Sequence, residues 1–155
     1  MGLTNKLFRL SLTKQVRRGY QPKRDEVANY IKKSLQKKFS IVNIDIIIVS
    51  DATSQALNLK YRGINKSTNV ISLEYPDSRD DFNLLTGELI LCDEVIVNEA
   101  KSQNKTIAAH YAHMIIHGVL HAQGLDHEGG DEARHMEQLE VKILREMGFK
   151  NPYKK

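Results

Sequence analysis

With 155 residues, 41% of them hydrophobic and 27% charged, the chain has the length of one domain, taken here as residues 1–155, and an ordinary globular composition that excludes disordered and fibrous classes. Cys92 is the only cysteine, so an internal disulfide is excluded and a reducing, cytoplasmic setting is expected. The net charge of +4 hides an asymmetry: residues 1–38 carry eleven Lys and Arg against Asp25 and Glu26, whereas residues 39–155 carry twelve basic and seventeen acidic groups. This basic third, with Arg17, Arg18, Lys23 and Arg24 as its candidate phosphate contacts, is either a polyanion-facing surface or a solvated face kept charged for solubility.

In chain order, Phe8, Leu10 and Leu12 alternate with Arg9, Ser11 and Thr13, the pattern of a half-buried strand. The same stretch does not read as a signal peptide, because Arg9 interrupts it and no small-residue cleavage site follows. After Pro22, residues Val27, Tyr30, Ile31, Ser34 and Leu35 recur at helical spacing with lysines outside. Ile44 to Val49 is β-branched and apolar, hence a strand. Ser50 is placed to cap a helix that runs to Arg62 and ends at Gly63. Val70–Tyr75 and Glu88–Cys92 are two further strands, joined by an acidic loop containing Pro76 and Asp77. Three helices follow, over about 93–103, 105–123 and 131–147, the last stopped by Gly148. The order predicts an α+β fold: a mixed sheet of about four strands packed with about five helices.

Thr106 to Leu125 holds no Asp, Glu, Lys or Arg. A membrane span is disfavoured by its four histidines, Gln123 and two glycines, and the segment reads instead as a central buried helix. His110, His113, His117 and His121 are spaced by three, four and four residues, so they form one stripe. His110 and His113 either line a cleft or hydrogen-bond within the core.

His117 and His121 project from one helix face and can bind one metal ion. Gly124 can take a left-handed conformation that turns the chain back, so that His127 presents a third nitrogen. The spacing H-x-x-x-H-x-x-G-x-x-H is that of the metzincin proteases, and it predicts a metalloprotease-like site with one Zn2+ on His117, His121 and His127. The residue after the first histidine, a Glu that activates water in those proteases, is here Gly118, which cannot move protons. Three neutral imidazoles leave the ion its full charge and an open fourth position for water or a phosphate oxygen. Asp126, beside the third histidine, could orient an imidazole or act as a general base.

The run HGVLHAQGLDH, His117 to His127, resembles the signature of the YbeY family of bacterial endoribonucleases. Leu57-Asn58 with Tyr61-Arg62-Gly63, Thr68 to Ser72, and Gly87-Glu88-Leu89-Ile90 resemble three further blocks of that family in the same order, although Glu88 replaces a usual Asp and Leu73 a usual Phe. The resemblance covers roughly positions 57 to 149.

It implies a zinc-dependent, single-strand-specific endoribonuclease acting in ribosomal RNA maturation, at the 3′ end of the small-subunit RNA, and in ribosome quality control. It also implies Arg62 as the catalytic arginine, a candidate phosphate clamp where the residues alone also allow a helix-end arginine bonding carbonyls, and ribosomal RNA precursors and the ribosome as partners, with no DNA and no membrane; the RNA-binding candidates Arg17, Arg18, Lys23 and Arg24 rest on charge alone. Two alternatives stay open beside it, a metallohydrolase of another substrate such as peptides, and a non-catalytic ribosome-associated zinc module. Structural zinc sites usually close with four protein ligands, and the three seen here disfavour the module.

Overall fold

A computed structural model describes residues 7–74, 83–125 and 129–154. Its elements are β1 (Leu7–Lys14), α1 (Arg24–Ser34), β2 (Ile41–Val49), α2 (Asp51–Arg62), β3 (Val70–Glu74), β4 (Leu84–Cys92), α3 (Asp93–Ser102), α4 (Ile107–Ala122) and α5 (Gly130–Glu146). This is the α+β class and the element order expected. The connection containing Pro76 and Asp77, expected as an acidic loop, lies outside the described residues.

The four strands form one sheet in the order β1-β2-β4-β3. β1, β2 and β4 run parallel, and β3 is antiparallel to β4 at the edge. β2 and β4 begin earlier than their apolar runs suggest, at Ile41 and Leu84. Within the first turn of β2 the polar Asn43 and Asp45 alternate with buried Val42 and Ile44, because one face of the sheet is covered far more fully than the other. The added residues therefore lack the continuous hydrophobicity that marks the rest of the strand.

The covered face carries the main core. Val42, Ile44, Ile46 and Ile48 of β2 and Leu85, Leu89 and Leu91 of β4 pack against Val27, Tyr30 and Ile31 of α1, and against Tyr111, Ile115, Ile116, Val119 and Leu120 of α4. Met136, Ile143 and Leu144 of α5 close it from outside, and Phe149, beyond the end of α5, packs back onto it. A smaller cluster on the opposite face joins Val49, Ile71 and Ile90 to Leu57 of α2. Thus α4 and α2 lie on opposite faces of the sheet.

α4 is the centre of the arrangement, touching α1, α3, α5, β3 and β4. No helix among the described residues is long and apolar enough to cross a membrane, and the uncharged stretch is a packed core helix. Gly118 is where it meets the sheet most closely. A Cβ built there would lie 2.7 Å and 3.1 Å from the two methyls of Leu89, whose side chain is itself fully buried. Ser72 of β3 fixes the same contact by donating its hydroxyl to the Gly118 carbonyl at 3.0 Å. A Gly118→Glu substitution, which would restore the peptidase pattern, should therefore cost about 3 kcal/mol or more through overpacking and a buried charge. Urea unfolding of the purified variant checks this.

Candidate metal centre

The two histidines that the spacing singles out lie on the second half of α4, both partly exposed. Each has its Nδ1 held by an acceptor. His117 Nδ1 lies 2.8 Å from Glu140 Oε2, and His121 Nδ1 lies 3.0 Å from the Leu125 carbonyl oxygen. A carboxylate and a carbonyl only accept, so Nδ1 carries the proton in both rings and Nε2 is the nitrogen each would present to an ion.

The turn that ends α4 supplies the second of these contacts. Gly124 has φ +94°, the left-handed conformation expected of it, and the Leu125 amide bonds back to the Leu120 carbonyl at 3.3 Å. The chain so reversed brings the Leu125 carbonyl beneath the His121 ring. Gln123 ties this end of α4 to α1, donating to the Ser34 carbonyl at 2.9 Å and accepting from the Gln36 amide at 2.9 Å.

His127 and Asp126 lie outside the described residues. Among the described residues no group of three or more His, Cys, Asp or Glu is placed to hold a metal ion. His117 and His121, at i and i+4 on one helix face with each Nδ1 held by an acceptor, are donors of the kind that suits a metal ion.

The residue that sequence reasoning missed is Glu140. It sits on α5 with 1% exposure and receives His117 on one oxygen and His113 Nε2, at 2.6 Å, on the other. The Tyr153 hydroxyl donates to that second oxygen as well. Burial pushes the Glu140 carboxyl up, and the hydrogen bonds from His113 and His117 outweigh it and hold the group down at about 2. A signal was present: Glu140 falls on the stripe of Met136, Ile143 and Leu144, the buried face of α5. A carboxylate on a core stripe asks for donors.

His110 and His113 are core residues, 2% and 6% exposed. His110 Nε2 lies 2.8 Å from Glu99 Oε1 of α3, whose other role is to accept from Asn69 at 3.1 Å. Lys105 Nζ stands 2.9 Å from His110 Nδ1 and 3.4 Å from His113 Nδ1. Burial lowers both imidazoles below the usual histidine range and outweighs the neighbouring carboxylates. The pairs with Glu99 and Glu140 are therefore neutral rings donating to carboxylates rather than ion pairs.

The other candidates are not gathered at these histidines. Arg62 is the last residue of α2, on the opposite face of the sheet, exposed and without a hydrogen bond or ion pair among the described residues. Gly63, at φ +73°, ends that helix immediately after it. Arg18 pairs with Glu94 at 2.8 Å across two exposed side chains, and Arg24 donates to the Leu10 carbonyl. Arg17 and Lys23 are exposed. This segment adjoins Asp93 and Tyr111, where Gln21 bonds Asp93 at 3.3 Å and Tyr20 stacks edge-on to Tyr111. It therefore lies at the N-terminal half of α4, away from His121.

Comparison with known proteins then decides the family. The model of the endoribonuclease YbeY family matches residues 11–148. The chain belongs to the YbeY family of endoribonucleases. It is 44% identical over 127 residues to a Paraburkholderia phymatum protein named endoribonuclease YbeY, covering 82% of this chain and 80% of that one. A Cupriavidus metallidurans protein of the same name is 38% identical over 133 residues, covering 86% of this chain and 65% of that one. The solution structure of TM1509 from Thermotoga maritima shares the fold, with a TM-score of 0.51 and 21% identity over 89% of this chain and 91% of that one. The YbeY assignment agrees with the motif resemblance and makes the chain one of a family of RNA-cleaving enzymes.

Proposed function

We propose that the chain is a zinc-dependent endoribonuclease specific for single-stranded RNA, acting in the cytoplasm on ribosomal RNA precursors at the 3′ end of the small-subunit RNA and in ribosome quality control. The observation that carries the metal part of this reading is the matched state of His117 and His121, each with Nδ1 committed to an acceptor. His127 would complete the set. Zinc held there would supply a Lewis acid whose charge is undiminished by neutral ligands, suited to a phosphodiester that gains negative charge in the transition state. The remaining work falls to this chain's own side chains: Glu140 and the Leu125 carbonyl orient the rings, and Arg62 would pair its guanidinium with phosphate oxygens. Peptide hydrolysis is disfavoured by Gly118, whose Cα faces Leu89 in the core, so that no acid–base side chain can be seated there.

Four measurements test the reading. His117→Ala, His121→Ala and His127→Ala should each lose stoichiometric zinc by elemental analysis; full occupancy in His127→Ala would move the third ligand elsewhere. RNA and peptide substrates offered with and without chelator should show cleavage of RNA alone, abolished by the chelator.

The Arg62→Ala protein should keep the parental melting temperature and zinc content. Its RNA cleavage should fall by about a hundredfold or more, the scale of losing one transition-state donor. Arg62→Lys should recover part of the loss, because a point charge lacks the planar two-pronged geometry. Cleavage at the parental rate in Arg62→Ala would remove Arg62 from the catalytic set.

RNA binding by the N-terminal segment is read from salt dependence. If Arg17 and Lys23 each meet a phosphate, reversing both to Glu should reduce the slope of log affinity against log salt by roughly 1.4, about 0.7 for each contact with a single strand. An unchanged slope would make this segment a solvated surface.

A further inference from the structure

We infer that Glu140 is the centre of a hydrogen-bond relay along α4, reaching back through His113 to Lys105, that sets the imidazole tautomers, and that Glu140 itself determines which nitrogen His117 presents. The ammonium of Lys105 has three donors and no acceptor. Its Nζ lies within reach of Nδ1 of both His110 and His113, so both Nδ1 atoms accept. A neutral imidazole that accepts at Nδ1 carries its proton on Nε2. These two Nε2–H groups point at carboxylates, His110 to Glu99 at 2.8 Å and His113 to Glu140 at 2.6 Å.

Glu140 then passes the constraint on. Its Oε1 is taken by His113 and by the Tyr153 hydroxyl, and its Oε2 faces His117 Nδ1 at 2.8 Å. Because a carboxylate only accepts, His117 must donate from Nδ1, which leaves its lone pair on Nε2. The Nε2 protons of His110 and His113 are thus set from both sides, by Lys105 at Nδ1 and by Glu99 or Glu140 at Nε2, and the Nδ1 proton of His117 is set by Glu140. His121 reaches the same tautomer separately, through the Leu125 carbonyl.

Glu140 is on this account a positioning residue for His117. The alternative, a carboxylate that merely fills a buried polar site, makes a different prediction for Glu140→Gln. The amide is nearly isosteric but has one acceptor oxygen and one NH2 group, whereas three donors converge on it: His113 Nε2, the Tyr153 hydroxyl and His117 Nδ1. With the oxygen turned to His113, the NH2 faces His117 and drives its proton to Nε2, the nitrogen a metal would take. With the amide flipped, the NH2 opposes the His113 proton, which Lys105 holds in place. Neither orientation preserves the parental pattern.

The inference rests on His117 as a metal ligand only for its consequence; the relay itself is measurable without metal. Nitrogen-15 NMR of the imidazoles in the metal-free full chain should show His117 protonated at Nδ1, and His110 and His113 protonated at Nε2. In Glu140→Gln the His117 signals should move toward the Nε2-protonated form. Zinc affinity, read by chelator competition, should fall by about 10- to 100-fold, the usual effect of losing an outer partner of a histidine ligand. In Lys105→Met, where Glu99 and Glu140 still accept from the two Nε2–H groups, His110 and His113 should keep their tautomers and zinc affinity should stay near that of the parent.

His117 protonated at Nε2 in the parent, or an unchanged His117 tautomer in a folded Glu140→Gln protein, would overturn the relay. The parental spectrum decides it even where Glu140→Gln fails to fold. Parental tautomers as expected with no zinc binding would leave the relay standing and overturn the metal reading instead.

Discussion

The structure depends on the burial of a helix that brings histidines, but no charged side chain, into the core. An imidazole taken out of water loses hydrogen bonds on both ring nitrogens, each worth about 1–3 kcal/mol if left unmade. α4 cannot satisfy them itself, since its own backbone is committed to the helix. Four neighbouring segments each contribute one group: Glu99 from α3, Lys105 from the connection before α4, Glu140 from α5, and the Leu125 carbonyl from the turn after it. Helix packing and imidazole chemistry are thus one problem, because displacing α3 or α5 would strand a buried ring.

That dependence explains what was legible in the sequence and what was not. α1, α2 and α4 announce themselves by apolar spacing and by caps such as Ser50, which accepts from the Thr53 amide at 3.2 Å. The early residues of β2 and β4 were not legible, because they face a sparsely covered side of the sheet and carry polar groups there. At the site, the histidine spacing fixed which rings share a face, and Gly124 fixed where the chain turns. The partners of those rings come from segments distant in sequence. Lys105 looks like one polar residue among several in a short connection, and only its approach to two ring nitrogens gives it a role. Glu140 was partly legible, because it interrupts the apolar stripe of α5, but on a helix rich in acidic residues that position is conspicuous only once the buried face is known.

Gly118 serves two demands at once. The close approach of α4 to β4 requires a residue without a side chain, since even a Cβ would strike Leu89. The same absence removes the acid–base group that the similarly spaced proteases carry. The departure from the protease pattern therefore has a packing cause, independent of any argument about substrate. Restoring the missing carboxylate would have to move a helix whose rings are tied to four neighbouring segments.

Arg62 poses the complementary problem. Its helix covers the second face of the sheet, whereas the histidines belong to the first. If both act on one phosphate, the substrate must pass the sheet edge formed by β3, a strand of five residues. Ser72 already joins β3 to α4 at Gly118, and the segment from Gly63 to Asn69 leads directly from Arg62 into β3. The two halves of such a site would then be connected through β3 rather than through the core. A substrate gripped from both sides of a sheet edge must bend around it. A single strand has the backbone freedom to do so, whereas a base-paired helix presents its phosphates on a stiff surface. Preference for unpaired RNA would follow from that geometry even without any base-specific contact.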